Sequence, residues 1–258
     1  MTGVRQDERD TGGLPGARTE RDASGLDPAD PTSAVTPVTP VTPVNRSPRV
    51  HRAEEADRKT ICRLLDVAFE QDPVSRWVFP DAARRAVAHP RFFEIVLDAA
   101  WRDGFVDITE DGAAVALWLS VPAEVPETAS STPEAADTAE GDDMGQRIQA
   151  VDPGNERPEI VGRLTRARHP HDRAHRYLMF IGVDPERQGD RLGSALLAPA
   201  LHACDRDRVP AYLEASSERS RALYTRLGFD VIDEPVELPR GPLLWPMWRE
   251  PRAAPADR

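Results

Sequence analysis

The stretch "RYLMFIGVDPERQGDRLGSALLAPALHACDRDRVPAYLEAS", residues 176–216, restricts the fold more than any other part of the chain. Tyr177 to Val183 is apolar and β-prone, a polar loop follows, apolar residues return at helical spacing from Leu192 to Arg206, and Ala211 to Ala215 reads as a second strand. A strand, a helix and a further strand form a crossover unit, which joins parallel neighbours in a right-handed sense, so sheet and helices alternate here. The loop between the first strand and the helix contains Gly189 and Gly193. Helix N-termini carry amides with no intrahelical partner together with the positive end of the helix dipole, so such a bend favours an anion such as a phosphate. A glycine-containing loop also serves simply to turn the chain tightly. Neither Gly-x-Gly-x-x-Gly nor Gly-x-x-x-x-Gly-Lys-Ser/Thr is present, which disfavours a dinucleotide or nucleoside triphosphate site.

The rest of the chain supplies matching material. A short strand is expected near Arg49 to Arg52, then a helix with Ile61, Leu64, Leu65, Ala68 and Phe69 on one face. A second helix is expected to follow Pro90, burying Phe92, Phe93, Val96, Leu97, Ala100 and Trp101 and ending at Gly104. "FVDITEDGAAVALWLSVP" reads as a hairpin turning at Asp111-Gly112. Gln146 to Arg168 has helical character interrupted by Pro153 and Pro158. After the crossover unit come a helix from Arg221 to Leu227, Gly228, and closing strands near Asp230 to Val236 and Leu243 to Trp248.

Two segments stand apart. Residues 1–48 end in "VTPVTPVTPV", whose prolines favour extended, polyproline-like chain, and read as a disordered Pro/Thr-rich tail. Residues 123–145 hold seven acids and no base and read as an acidic disordered insertion. Of the net charge of -11, these two segments carry -9 and the rest only -2, so the folded part outside them is nearly neutral and bulk charge says little about its partner. No basic stripe suggests a nucleic-acid surface. Residues 251–258 read as a short C-terminal tail. The opening "MTGVRQDERD" lacks the order of a signal peptide, and no apolar run approaches membrane-spanning length. Cys62 and Cys204, far apart, imply neither a disulfide framework nor a metal site, and a reducing cytoplasm is the expected location.

"GVDPERQGDRLGSALL" followed by "VPAYLEASSERSRALYTRLGF" resembles the GNAT superfamily of acyl-CoA-dependent N-acetyltransferases, whose signature is Gln/Arg-x-x-Gly-x-Gly/Ala after a strand ending in valine. Weaker likeness covers most of 49 to 250. The resemblance implies an α/β domain of GNAT acyl-CoA N-acyltransferase fold, a central mixed twisted sheet flanked by helices and split around acetyl-CoA. It implies that Ile181, Gly182 and Val183 offer a strand edge to the pantetheine arm. Amides from Gln188 through Gly189, Asp190, Arg191, Leu192 and Gly193 to Ser194 would then wrap the pyrophosphate. Arg191 replaces the signature's first glycine, adding a β-carbon and a guanidinium. Ser217 and Ser220 stand where many relatives carry asparagine, which puts a coenzyme contact from the Ser220 side chain in question.

Acetyl transfer to an amine needs a deprotonated amine, oxyanion stabilisation and a proton for the leaving thiolate. Tyr224 matches the tyrosine that relatives use as general acid; otherwise it is a core aromatic beside Leu223 and Leu227. The Val183 amide is the expected oxyanion donor. Glu214, on the strand "AYLEAS", is either a base acting through water or a structural carboxylate. His169, His171 and His175 in "HPHDRAH" lack a ligand partner set and suit a loop, so no metal is expected. Trp77, Trp101 and Trp118 either line an acceptor pocket or belong to the core. The expected activity is transfer of acetyl from acetyl-CoA to a small-molecule amine, by direct attack, in a monomer or homodimer. The competing expectation is a non-catalytic acyl-CoA sensor or scaffold.

Overall fold

A computed structural model describes residues 48–124 and 136–253; the remainder, including most of the expected N-terminal tail and part of the acidic insertion, lies outside the described residues. β1 (Val50–Arg52) leads through a 3-10 turn at Glu55–Asp57 into α1 (Arg58–Phe69), which buries Ile61, Leu64 and Leu65. α2 (Pro73–Val78) starts where Asp72 accepts hydrogen bonds from the amides of Val74 and Ser75, with Pro73 in the first turn where its missing N–H costs nothing. α3 (Ala82–Asp103) follows, capped by Asp81, whose carboxylate accepts from the Arg84 amide at 2.7 Å.

Pro90 lies inside α3 and does not begin it, contrary to the sequence expectation. A proline removes one helical hydrogen bond and crowds the preceding turn. Ala88, Phe93, Val96 and Leu97 bury the helix on both sides of that defect, and packing rather than propensity holds it.

β2 (Gly104–Thr109) and β3 (Ala114–Val121) form the expected antiparallel hairpin, with Phe105 opposite Trp118 and Asp107 opposite Ala116. Gly104 is dictated by close approach, because a Cβ there would sit 1.9 Å from the Trp118 carbonyl oxygen. α4 (Ala136–Val151) begins within the stretch read as unstructured, so its latter part is helix, and Pro153 falls beyond that helix. α5 (Arg157–Arg166) takes Pro158 into its first turn, so that proline helps to start a helix rather than interrupting one.

The remaining elements are β4 (His175–Val183), α6 (Leu192–Asp207), β5 (Ala211–Ala215), α7 (Glu218–Arg226), β6 (Asp230–Val231), β7 (Val236–Glu237) and β8 (Leu243–Arg249). Strand order is β1-β2-β3-β4-β5-β8-β6, with β7 also on β8, and among the described residues β4–β5 is the one parallel pair. This is a mixed, mostly antiparallel sheet with helices on both faces. Alternation along β3 explains the two layers. Ala114, Ala116 and Trp118 join Leu192, Leu196, Leu197 and Leu201 of α6 on one side, while Val115 and Leu117 join Ile61, Leu65, Phe93 and Leu97 of α1 and α3 on the other.

Candidate active site

The crossover unit makes an opening in the middle of the sheet. β4 and β5 pair only at Arg176 with Ala211 and Tyr177 with Tyr212, then separate. A bulge contributes to the divergence: Leu117 faces Phe180 and Trp118 faces Leu178, which leaves Met179 as the extra residue on β4. Beyond it the Asp184 amide donates to the Ala113 carbonyl at 2.9 Å. By strand alternation Gly182 and Asp184 therefore direct their main chains toward β3, and Ile181 and Val183 direct theirs toward the opening. The opening is a cleft of about 770 Å³.

At the end of β4 the chain turns through Pro185–Arg187, with Asp184 accepting from the Glu186 amide at 3.0 Å, and reaches α6 through Gly189 at φ 105° and Arg191 at φ 62°. Arg191 is the N-cap of α6 in the left-handed region, and no side chain caps that helix. The amides of Leu192, Gly193 and Ser194 thus have no helical acceptor, as the physics of a helix start requires. Arg187 is held by Asp190 at 2.7 Å and Asp111 at 3.3 Å, and Arg219 donates to the Gln188 side-chain oxygen at 2.8 Å. Arg187, Arg191 and Arg219 line this end of the cleft. Uncapped amides with three guanidiniums suit a polyanion such as the coenzyme A diphosphate.

Most of the residues singled out from sequence line the cleft: Ile181, Val183, Gln188, Gly189, Arg191, Leu192, Gly193, Ser194, Glu214, Ser220 and Tyr224. Gly182 and Asp190 do not. A Cβ at Gly182 would lie 3.1 Å from Leu65 of α1, so that glycine admits a helix, and the Asp190 carboxylate is turned to Arg187. Ser220 and Ser217 form a reciprocal capping box, each hydroxyl accepting from the other's amide at 3.1 Å, and the Ser220 hydroxyl donates to the Ser217 carbonyl. The Ser220 hydroxyl proton is therefore already engaged by its own helix.

Glu214 accepts a hydrogen bond on each carboxylate oxygen, from Tyr177 Oη at 2.8 Å and from Tyr212 Oη at 2.9 Å. Burial pushes its pKa up to about 7 against the pull of these two phenols. Burial and the facing carboxylate raise both tyrosines, so each phenol keeps its proton. Tyr224 is 5% exposed, packs against Phe229 with ring centroids 6.0 Å apart, and its hydroxyl has no protein partner among the described residues. Burial and the nearby negative charge of Asp72 raise its pKa. It belongs to the core, as one sequence reading had it, and it also lines the cleft.

A second polar group on this cleft was not singled out from sequence. Ser216 Oγ donates to Asp72 Oδ2 at 2.8 Å across 144 positions of chain. Burial raises Asp72 despite that bond and its two amide donors. Ser75 Oγ hydrogen-bonds to His89 Nε2, and His89 Nδ1 to Asp66 Oδ1 at 2.9 Å. Burial lowers the His89 pKa against the pull of Asp66, so the ring is neutral, with Nδ1 carrying the proton and Nε2 accepting from the serine. The Asp72-Pro73 dipeptide signalled a helix start that would have found Asp72 and Ser75. Nothing local signalled His89.

His169, His171 and His175 cluster, His169 hydrogen-bonded to His175 and in ring contact with His171, and no set of three or more metal-ligating side chains is placed to hold an ion among the described residues. Trp118 is fully buried, Trp101 lies under Arg58, Trp77 donates to the Pro239 carbonyl, and none of the three lines the cleft. Cys62 and Cys204 are free thiols, Cys62 pushed by burial up to about 11 and Cys204 also raised. Neither suits a nucleophile.

Residues 112–229 match the model of the Acetyltransferase (GNAT) family. The chain has the GNAT fold. Two solved structures share it. One, described as histone acetyltransferase HPA2 and related acetyltransferase from Corynebacterium glutamicum, is 24% identical, with 82% of this chain and 100% of the other covered and a TM-score of 0.53. The other, arylalkylamine N-acetyltransferase 2 from Aedes aegypti, is 14% identical over 79% of this chain and 99% of its own, also at 0.53. The GNAT match places the chain in class as an acetyl-CoA-dependent N-acetyltransferase, acetyl-CoA being the donor that the family uses. Its matched segment starts at the hairpin turn and ends at Phe229, so it includes the fork, the polyanion loop, Glu214 and Tyr224. Helices α1 to α3 lie outside it.

Proposed function

We propose that the protein acetylates a primary amine of a small molecule by direct attack on acetyl-CoA. The observation that carries this reading is that Glu214, Tyr224, the unpaired edge of β4 and the uncapped start of α6 all line one cleft. Acetyl-CoA would lie along β4, its diphosphate on the amides from Gln188 to Ser194 and its pantetheine arm beside Ile181 and Val183. The amine nitrogen attacks the thioester carbonyl carbon and the C–S bond breaks. Glu214, ionised, takes the amine proton through water; the Val183 amide donates to the carbonyl oxygen as negative charge develops there. Tyr224 gives its phenolic proton to the departing thiolate. A carboxyl with a pKa near 7 suits a base at neutral pH, and a phenol that keeps its proton there has one to give.

Within the superfamily, "GVDPERQGDRLGSALL" and the ending "GPLLWPMWRE" resemble puromycin N-acetyltransferase, which supports a small-molecule acceptor, including an antibiotic or related metabolite, over a protein. The reading extends to a catalytic domain over 49–250 that works as monomer or homodimer in the cytoplasm, away from nucleic acid. Among the described residues no helix is long and apolar enough to cross a membrane. Thiol release from acetyl-CoA with a panel of amines tests the proposal. Turnover supports it; tight coenzyme binding with no turnover across diverse amines would favour a sensor instead.

A further inference from the structure

The cleft is divided in its chemistry along its length. Tyr177 on β4 and Asp184 just past its end are seven residues apart, roughly 20 Å at strand spacing, so the Glu214 end and the polyanion loop are well separated. Three arginines line the loop end. Among the described residues the only acidic side chains lining the cleft are Asp72 and Glu214, both near Tyr224 or β5.

Five of the seven phenylalanines line the same cleft. They interlock: Phe69 to Phe93 and to Phe180 at 5.5 Å, Phe92 to Phe93 at 5.4 Å, Phe79 to Phe92 at 5.9 Å. Phe79 and Phe93 are buried, whereas Phe69, Phe92 and Phe180 are half-buried and present ring surface to the cavity. Ser75 and His89, the polar groups in this wall, are engaged with each other.

Resting on the acetyltransferase reading above, we propose that the acceptor is a hydrophobic primary amine, an aryl or bulky alkyl group on a short linker. Its apolar part lies on Phe69, Phe92 and Phe180, and its ammonium is drawn by Asp72 and Glu214 before deprotonation. Charge complementarity and apolar burial act on opposite ends of one small molecule. An amino sugar would set its hydroxyls against phenylalanine rings with no partners, leaving polar groups buried and unpaired. A polyamine or basic peptide would set a second cation on the same wall. Four of the five phenylalanines, and Asp72, precede residue 112, so this wall is built outside the segment that matches the acetyltransferase family.

The test uses the full chain, with acetyl-CoA binding measured by calorimetry and kcat/KM measured for 2-phenylethylamine, glucosamine, spermidine and a lysine-containing peptide. The expected result is acetyl-CoA binding, at least a tenfold preference for 2-phenylethylamine, and a roughly tenfold rise in its KM in Phe92→Ala with acetyl-CoA affinity retained. Acetyl-CoA binding with equal or better turnover of the polar amines, with no amine turned over, or with KM unmoved in a Phe92→Ala chain that still binds acetyl-CoA overturns the inference and leaves coenzyme binding standing. If Phe92→Ala fails to bind acetyl-CoA, Phe180→Leu is measured in the same way and judged by the same outcomes. Absence of acetyl-CoA binding by the unaltered chain overturns both the inference and the reading beneath it.

Discussion

Tyr177 Oη donates to Glu214 Oε2 at 2.8 Å at the last point where β4 and β5 are still paired. The bond ties the two arms of the fork together and fixes a carboxylate at its apex. Tyr212 holds the other oxygen, so Glu214 keeps only its remaining lone pairs for an amine or a water.

Acetyl transfer is expected to rise with pH through about 7, because the base must be ionised and its pKa lies there. Tyr177→Phe removes a donor that favours the ionised carboxylate, so the rising limb moves to higher pH. Glu214→Gln lowers kcat by about 10²-fold or more and abolishes that limb. A pH–rate profile of all three proteins at saturating acetyl-CoA checks this, and an unshifted limb in Tyr177→Phe removes Glu214 as its source.

Tyr224→Phe keeps the ring packed on Phe229 and deletes only the unpartnered hydroxyl. Transfer should slow by about 10²-fold while acetyl-CoA affinity stays within a factor of two or so. Steady-state kinetics beside calorimetry distinguish the acid role from a purely structural one.

Gly189 has open space around a built Cβ but a φ of 105°, so its requirement is conformational alone. Gly189→Ala should cost more than about 1 kcal/mol and weaken acetyl-CoA binding by distorting the amide row. Arg191→Gly, at φ 62°, removes left-handed strain and should leave stability within about 1 kcal/mol. Its acetyl-CoA affinity should lose part of its salt dependence if the guanidinium faces phosphate. Urea melts and titrations at two salt concentrations read both effects.

Arg249 is 3% exposed and makes two hydrogen bonds of 2.7 Å to Asp205, plus one to the Leu227 carbonyl. Asp205→Ala strands that guanidinium and should destabilise the fold by about 3 kcal/mol in urea. The Arg249 hydrogen bonds hold the Asp205 pKa below its ordinary value, so this contribution is present above the unfolded pKa and is lost as pH falls through the folded one.

The histidine cluster gives an acid-sensitive term. His175 Nδ1 faces the Arg173 carbonyl at 2.7 Å and must carry the proton, so His175 Nε2 accepts from His169 Nε2 at 2.9 Å. Burial depresses His169 to about 4 and lowers His175 as well. The unfolded chain therefore binds more protons on these rings, and their contribution to stability falls as pH drops from about 6.5 toward 4. Glu214, raised in the fold, acts in the opposite direction between about 4.5 and 7. His169→Gln retains an N–H donor and cannot be charged. The difference in stability between it and the unaltered chain should narrow or reverse in its favour as the pH of the urea melt is lowered from 7 to 4.5.

Local pattern determined much of this protein. Alternation set β3 and its two faces, Asp111-Gly112 set the hairpin, and the polar loop after Val183 set the start of α6. These features depend on neighbours a few residues apart, so they are written in order along the chain. Where that reading failed, a local signal gave way to packing: Pro90 was read as a helix start, but helix packing carried α3 through it in the fold. Tertiary structure alone brought Asp72 to Ser216, His89 to Asp66 and five phenylalanines to one wall, and it alone raised Glu214. Burial and charge proximity are sums over atoms distant in sequence, and only the folded chain performs that sum.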